Sequence, residues 1–186
     1  MKSRKVLVYI VLLIVAAGAL LLWWQVMDPR GQPVAGVLDG PTLVLRDRDL
    51  ERVDSAPEQT HLAREGQLRL SVLPDQPPPT PAERGVRVIV SADRAATLND
   101  HPVVVEIRYG LSRSNPASGL AVSLQGIGPA HWVSEPLTAD AATVRFELPE
   151  QSSIYAIGLR ALSDKPGRAG VVTINEIRIT PLEDAD

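Results

Sequence analysis

Short runs of β-branched residues recur through the second half of this chain at nearly regular spacing, and that cadence leaves little room for anything but sheet. Residues 86–91 (VRVIVS), 103–109 (VVVEIRY), 120–124 (LAVSL), 143–148 (TVRFEL), 155–162 (YAIGLRAL) and 171–179 (VVTINEIRI) are each bounded by Gly, Pro, Asn or Asp, the punctuation expected between strands. In three of them charges fall on alternate positions: Glu106 and Arg108, Arg145 and Glu147, Glu176 and Arg178. Side chains alternate across a strand, so one face of each is wet and the other dry, as in antiparallel sheets packed face to face. Residues 67–73 add a further strand with Leu68, Leu70 and Val72 on one side, and a short strand over 42–45 opens the domain. No amphipathic helical period interrupts the series, so the expectation is an all-β, antiparallel β-sandwich, a jelly roll rather than an immunoglobulin-like arrangement.

Between two of these strands lies PDQPPPTP, residues 74–81, with five prolines. Proline has no N–H to give a ladder, so this stretch is expected to be extended and to form a long surface loop. The mixed-charge segment 46–52 (RDRDLER) is expected to be a solvated loop, and Gly126-Ile127-Gly128-Pro129 a turn.

Ahead of the domain stands a second constraint. Residues 6–24 (VLVYIVLLIVAAGALLLWW) run for nineteen residues without charge or proline. At ~1.5 Å per residue a helix of this length reaches about 28 Å, close to the ~30 Å hydrocarbon thickness of a bilayer, and in lipid only a helix or a closed barrel satisfies its own backbone. One transmembrane helix over 6–27 is therefore expected. The competing reading is an export signal, whose apolar region ends at a small-x-small site; here the small residues Ala16, Ala17, Gly18 and Ala19 sit mid-run and Leu20 to Trp24 continue it. Lys2, Arg4 and Lys5 precede the run with no acidic residue, so the positive-inside bias places tail 1–5 in the cytoplasm and the remainder on the far side. With fifteen Arg and only Lys165 among the basic residues beyond the run, the far side is expected to be the periplasm of a Gram-negative inner membrane. Trp23 and Trp24 are expected at the outer interface, the patch Ala16–Ala19 at a helix–helix contact, and 28–41 as a Pro/Gly-rich tether to the domain at 42–186.

The pattern from about residue 66 to 182 resembles the galactose-binding-like jelly rolls of carbohydrate-binding modules. The resemblance rests on the succession of a strand like 103–109 and one like 120–125, closed by a terminal strand over 173–179 (TINEIRI). It covers about two thirds of the chain and contains no residue-specific motif. It implies a glycan ligand held by aromatic side chains, because the face of a pyranose is apolar and a flat ring covers it. Outside the apolar run the aromatic residues are Tyr109, Trp132, Phe146 and Tyr155. Phe146 and Tyr155 are expected in the core, and Trp132, beside His131 in the loop GPAHWVSEP, is the candidate ligand platform.

Composition narrows the function classes. Of 19 basic residues three precede the apolar run, leaving 16 against 22 acidic ones, so the domain has no electrostatic reason to bind nucleic acid. There is no cysteine, which removes disulfides, thiolate metal sites and cysteine nucleophiles. His61, His101 and His131 are scattered, and no HExxH, GxSxG, phosphate-loop or dinucleotide pattern occurs. The carboxylate pairs Asp47/Asp49 and Glu147/Glu150 serve glycoside hydrolysis only if folding sets them about 5–9 Å apart across a cleft. No cofactor or metal is implied. Two functions result: a non-catalytic, single-span accessory subunit whose sandwich contacts other subunits of a membrane complex, or a membrane-tethered carbohydrate-binding module. The partners are accordingly the bilayer, membrane-complex subunits or a glycan.

Overall fold

The computed structural model describes residues 31–55, 59–74, 76–164 and 169–182. The expected span 6–27, with Trp23, Trp24 and the patch Ala16–Ala19, lies outside the described residues. Among the described residues no helix is long and apolar enough to cross a membrane.

Two antiparallel sheets stack face to face, as the strand pattern implies. In chain order the strands are β1 (Val37–Asp39), β2 (Thr42–Arg46), β3 (Val53–Asp54), β4 (Thr60–Arg64), β5 (Gln67–Val72), β6 (Val86–Ile89), β7 (Val103–Leu111), β8 (Gly119–Gln125), β9 (Val133–Pro136), β10 (Thr143–Leu148), β11 (Ala156–Leu162) and β12 (Gly170–Pro181). The larger sheet is built on β12, which pairs with β7 along one edge and with β5 and then β2 along the other; β10, β4 and β1 extend it. The smaller sheet runs β3-β6-β11-β8-β9.

The dry faces are those the alternation predicts. Val105, Ile107, Phe146, Leu148, Ile174, Ile177 and Ile179 from the larger sheet meet Val86, Val88, Leu120, Val122, Ile157 and Leu159 from the smaller one. On the outer face of the larger sheet the alternate charges form ladders across neighbouring strands. Glu106 faces Arg145 at 4.0 Å, Arg108 faces Glu176 at 3.9 Å, and Arg178 reaches Asp39 at 2.8 Å. Exposed pairs of this kind add little stability, but they keep that face in water and mark the sheet's inside.

Some segments depart from expectation. The stretch 28–41, expected as a tether, is built into the domain from Gly31 onward: Val34 is fully buried and bridges Val90, and β1 pairs with β2. The mixed-charge stretch is a 3-10 turn (Asp47–Glu51) that inserts Leu50 fully into the core, so it is not simply a solvated loop. A single helical turn, α1 (Ala92–Ala95), buries Ala95. Tyr155, expected in the core, stands one residue before β11 at the rim of the sandwich and is 39% exposed. β4 and β9 are additional short strands at the edges of the two sheets.

Candidate functional site

The two sheets differ on their outer faces, and the difference defines the site. Where the larger sheet presents charge to water, the central strands β8 and β11 of the smaller one present positions that water does not reach. On β8 the outward positions are Gly119, Ala121, Ser123 and Gln125; on β11 they are Ala156, Gly158 and Arg160; all are buried. Register sets Ala121 opposite Arg160 and Ser123 opposite Gly158.

The cover is the proline-rich stretch, which runs between β5 and β6 as a strap over β11 and β8. Its prolines offer carbonyls and no N–H, so the sheet and the β8–β9 loop supply the donors. Arg160, only 1% exposed, donates through Nη2 to the Pro77 carbonyl (2.9 Å) and ion-pairs with Glu83. Gln125 Nε2 donates to the Arg84 carbonyl (2.7 Å), and Ala130 N to the Pro81 carbonyl (3.0 Å). Glu83 Oε1 in turn accepts from the Thr80 backbone and hydroxyl at 3.3 Å, tightening the strap's own turn. The approach is close enough to require glycine beneath it. A Cβ on Gly158 would come within 2.9 Å of the Arg84 carbonyl, and one on Gly85, whose φ is +61°, within 2.8 Å of the Trp132 ring.

Where the strap ends, a cleft of about 560 Å³ opens between residues 81–84, the β8–β9 loop and Tyr155. Gly126, Gly128 and Pro129, read as a turn, form its loop wall. Tyr155 is held by its backbone, its N–H on the Gln125 carbonyl and its own carbonyl accepting from Val90 N, both at 2.9 Å. Among the described residues it is the one aromatic side chain classed as exposed. Gln125, 4% exposed, lines the cleft base.

The candidate platform divides. His131 is exposed, whereas Trp132 is half-buried with its ring against Gly85, so the indole packs the end of the strap. His61 lies on β4 and His101 just before β7, and no group of three metal-ligating side chains gathers among the described residues. Asp47 and Asp49 lie on the 3-10 turn, where burial pushes the Asp49 carboxyl above the usual range. Glu147 lies on the charged outer face beside Arg145. Tyr109 is buried, donating its hydroxyl to the Thr138 carbonyl at 2.8 Å and accepting from Thr138 N at 3.1 Å.

No protein-family model matches this chain, and no curated protein matches it. Among solved structures, a low-affinity xylan-binding module, CBM86, from Roseburia intestinalis is similar over 77% of this chain and 97% of that one, with a TM-score of 0.51 and 10% identity. The chain has the jelly-roll fold of carbohydrate-binding modules. Two further modules superpose more loosely. The CBM22-1 xylan-binding domain of Paenibacillus barcinonensis Xyn10C gives a TM-score of 0.47 at 14% identity, covering 82% of this chain and 100% of that one. Caldicellulosiruptor saccharolyticus CBM27-1, in complex with mannohexaose, gives 0.41 at 13%, covering 79% and 100%. Identity this low speaks to the carbohydrate-binding-module fold alone and carries over no residue role.

Proposed function

We propose that this chain is a non-catalytic carbohydrate-binding module, tethered to the inner membrane through residues 6–27 with its sandwich in the periplasm, and that it takes glycan in the cleft beside Tyr155. The observation that carries the reading is the Tyr155 ring, exposed at the mouth of a concave site on a fold of this class. A phenol ring supplies the apolar plate that a pyranose face needs and keeps a hydroxyl for its rim. The loop wall adds backbone groups of Gly126 and Gly128, and the strap adds the Arg84 side chain, which is exposed. The glycan reading is preferred to the accessory-subunit reading because fold and cleft both bear on it.

The test uses the full chain in a detergent without a sugar headgroup, so that the micelle does not compete, applied to a glycan array that includes xylan, the ligand class named for the CBM86 module. Binding to at least one glycan class is expected, weakened about tenfold or more in Tyr155→Ala, a loss of about 1.4 kcal/mol, with the unfolding midpoint unchanged. Retention of no glycan, or binding indifferent to that substitution, removes the reading.

A further inference from the structure

We infer that the cleft recognises the end of a glycan chain, or a short free saccharide, and not the interior of a polymer. The inference rests on the glycan reading and deepens it. Its basis is that the cleft is blind. The strap and the β8–β9 loop are its two walls; Ala130 N on the Pro81 carbonyl ties one to the other, and Gln125 Nε2, at the end of β8, ties the strap to the sheet through the Arg84 carbonyl. Pro81, Arg84, Gln125 and Ala130 are themselves lining residues, so both bonds join parts of the cleft's own lining.

Nor is there a way out along the sheet. The surface onto which the cleft would continue is the outer face of β8 and β11, and there Ala121, Ser123, Ala156 and Arg160 are buried to within 1% beneath the strap. Arg160 clamps that cover from below through Pro77 and Glu83. A saccharide stacked on Tyr155 therefore has one direction in which to grow, outward past the exposed Ile127 at the loop tip. The space is that of a compact ligand, about 560 Å³ against the ~300–1,000 Å³ of pockets that take drug-sized molecules. It suits a terminal unit and its neighbours and excludes a chain passing through.

The experiment is an array of xylo- and manno-oligosaccharides, each printed twice, once immobilised through its reducing end and once through its non-reducing end, alongside the parent xylan and mannan and the broader glycan set. The probe is the full detergent-solubilised chain, with Tyr155→Ala as control. End recognition predicts that one attachment abolishes binding or weakens it about tenfold or more relative to the other, and that each polymer chain binds a single copy whatever its length. Binding equal in both attachments, or copies per polymer rising with its length, overturns end recognition while leaving glycan binding intact. Absence of binding across the whole array overturns both. Tyr155→Ala separates the cleft from any other surface: an end preference that persists in that variant places it elsewhere and refutes the inference.

Discussion

Gly158→Ala tests whether the strap is packed on the sheet or merely lies near it. The added methyl would sit 2.6 Å from Ser123 Oγ and 2.9 Å from the Arg84 carbonyl, with the Gln125 amide closer still. Real Cβ atoms do not approach this near, so something must move. The Gln125 amide is the most mobile of the three, but it is the group that holds the Arg84 carbonyl at 2.7 Å. Overpacking of a close-packed site costs about 1–3 kcal/mol, and giving up that hydrogen bond costs about 1 more. The substitution should thus destabilise by about 2–4 kcal/mol, unless the strap lifts, in which case the loss is capped at what strap docking contributes. Both outcomes can be read. Denaturant unfolding reports the first, and trypsin cleavage after Arg84, a bond held against the sheet in the native chain, reports the second. The contacts also predict an interaction with Gln125→Ala: removing the amide clears the nearest obstacle, so the double variant should lose less than the two single losses combined. A Gly158→Ala chain within about 0.5 kcal/mol of the parent, with the Arg84–Gly85 bond still protected, would falsify the description of a covered face.

The remaining expectations concern the strap's anchors, the two aromatics and the chain's entry into the domain. Arg160→Met leaves the Glu83 carboxylate and the Pro77 carbonyl without their donor and should cost about 3 kcal/mol or more; adding Glu83→Gln should restore a large part, and no recovery in the unfolding midpoint counts against the pair. Trp132→Ala should lower stability by about 1–3 kcal/mol through lost packing on Gly85, whereas Tyr155→Ala should alter glycan binding alone; exchanged phenotypes would reverse their roles. Replacing Val34 with Asp, or deleting the chain through residue 36, should unfold the sandwich or cut its stability by several kcal/mol, and an unaffected midpoint would return the segment to the status of a tether. Asp49 is held protonated to higher pH in the folded state than in the unfolded one, chiefly by burial. The folded chain therefore binds more protons between the ordinary carboxylate pKa and the raised one, and stability falls as pH rises through that window. Asp49→Asn should be slightly more stable than the parent at neutral pH, by a few tenths of a kcal/mol, with the difference fading in acid; a gain that grows in acid contradicts the sign.

What could be read in the sequence follows from which faces are wet. β7, β10 and β12 announce themselves because water on their outer side selects Glu and Arg at every second position. β8 and β11 are legible as strands, but their second dry face is not, because a continuous buried run carries no alternation of polarity. It carries an alternation of size. Gly119, Ala121 and Ser123 recur at period two on β8, and Ala156 and Gly158 do so at the start of β11; small residues at period two signal a backbone lying close above them. The lone charge in YAIGLRAL was the other clue, since an arginine amid apolar neighbours needs a partner that no adjacent strand supplies. Tyr155 misleads for a different reason: it keeps the inward parity of Ile157 and Leu159 but falls one residue before the ladder begins. Val34 misleads because Val34, Val37 and Leu38, set among Gly and Pro, show no period to betray which of them is buried.

The identity of the cover also has a physical logic. A sheet that is dry on both faces must be roofed, and an ordinary extended segment laid across it would bring N–H groups needing acceptors that residues such as Ala121 and Gly158 cannot provide from their outward side. A proline run presents few N–H groups, and its carbonyls at Pro77 and Pro81 are held by Arg160 and one loop amide, with Gln125 holding the Arg84 carbonyl just beyond the run. Its fixed φ angles also leave it little freedom to lose on docking. The five prolines therefore favour a roof here, and the roof in turn closes the outer face of β8 and β11 to a ligand.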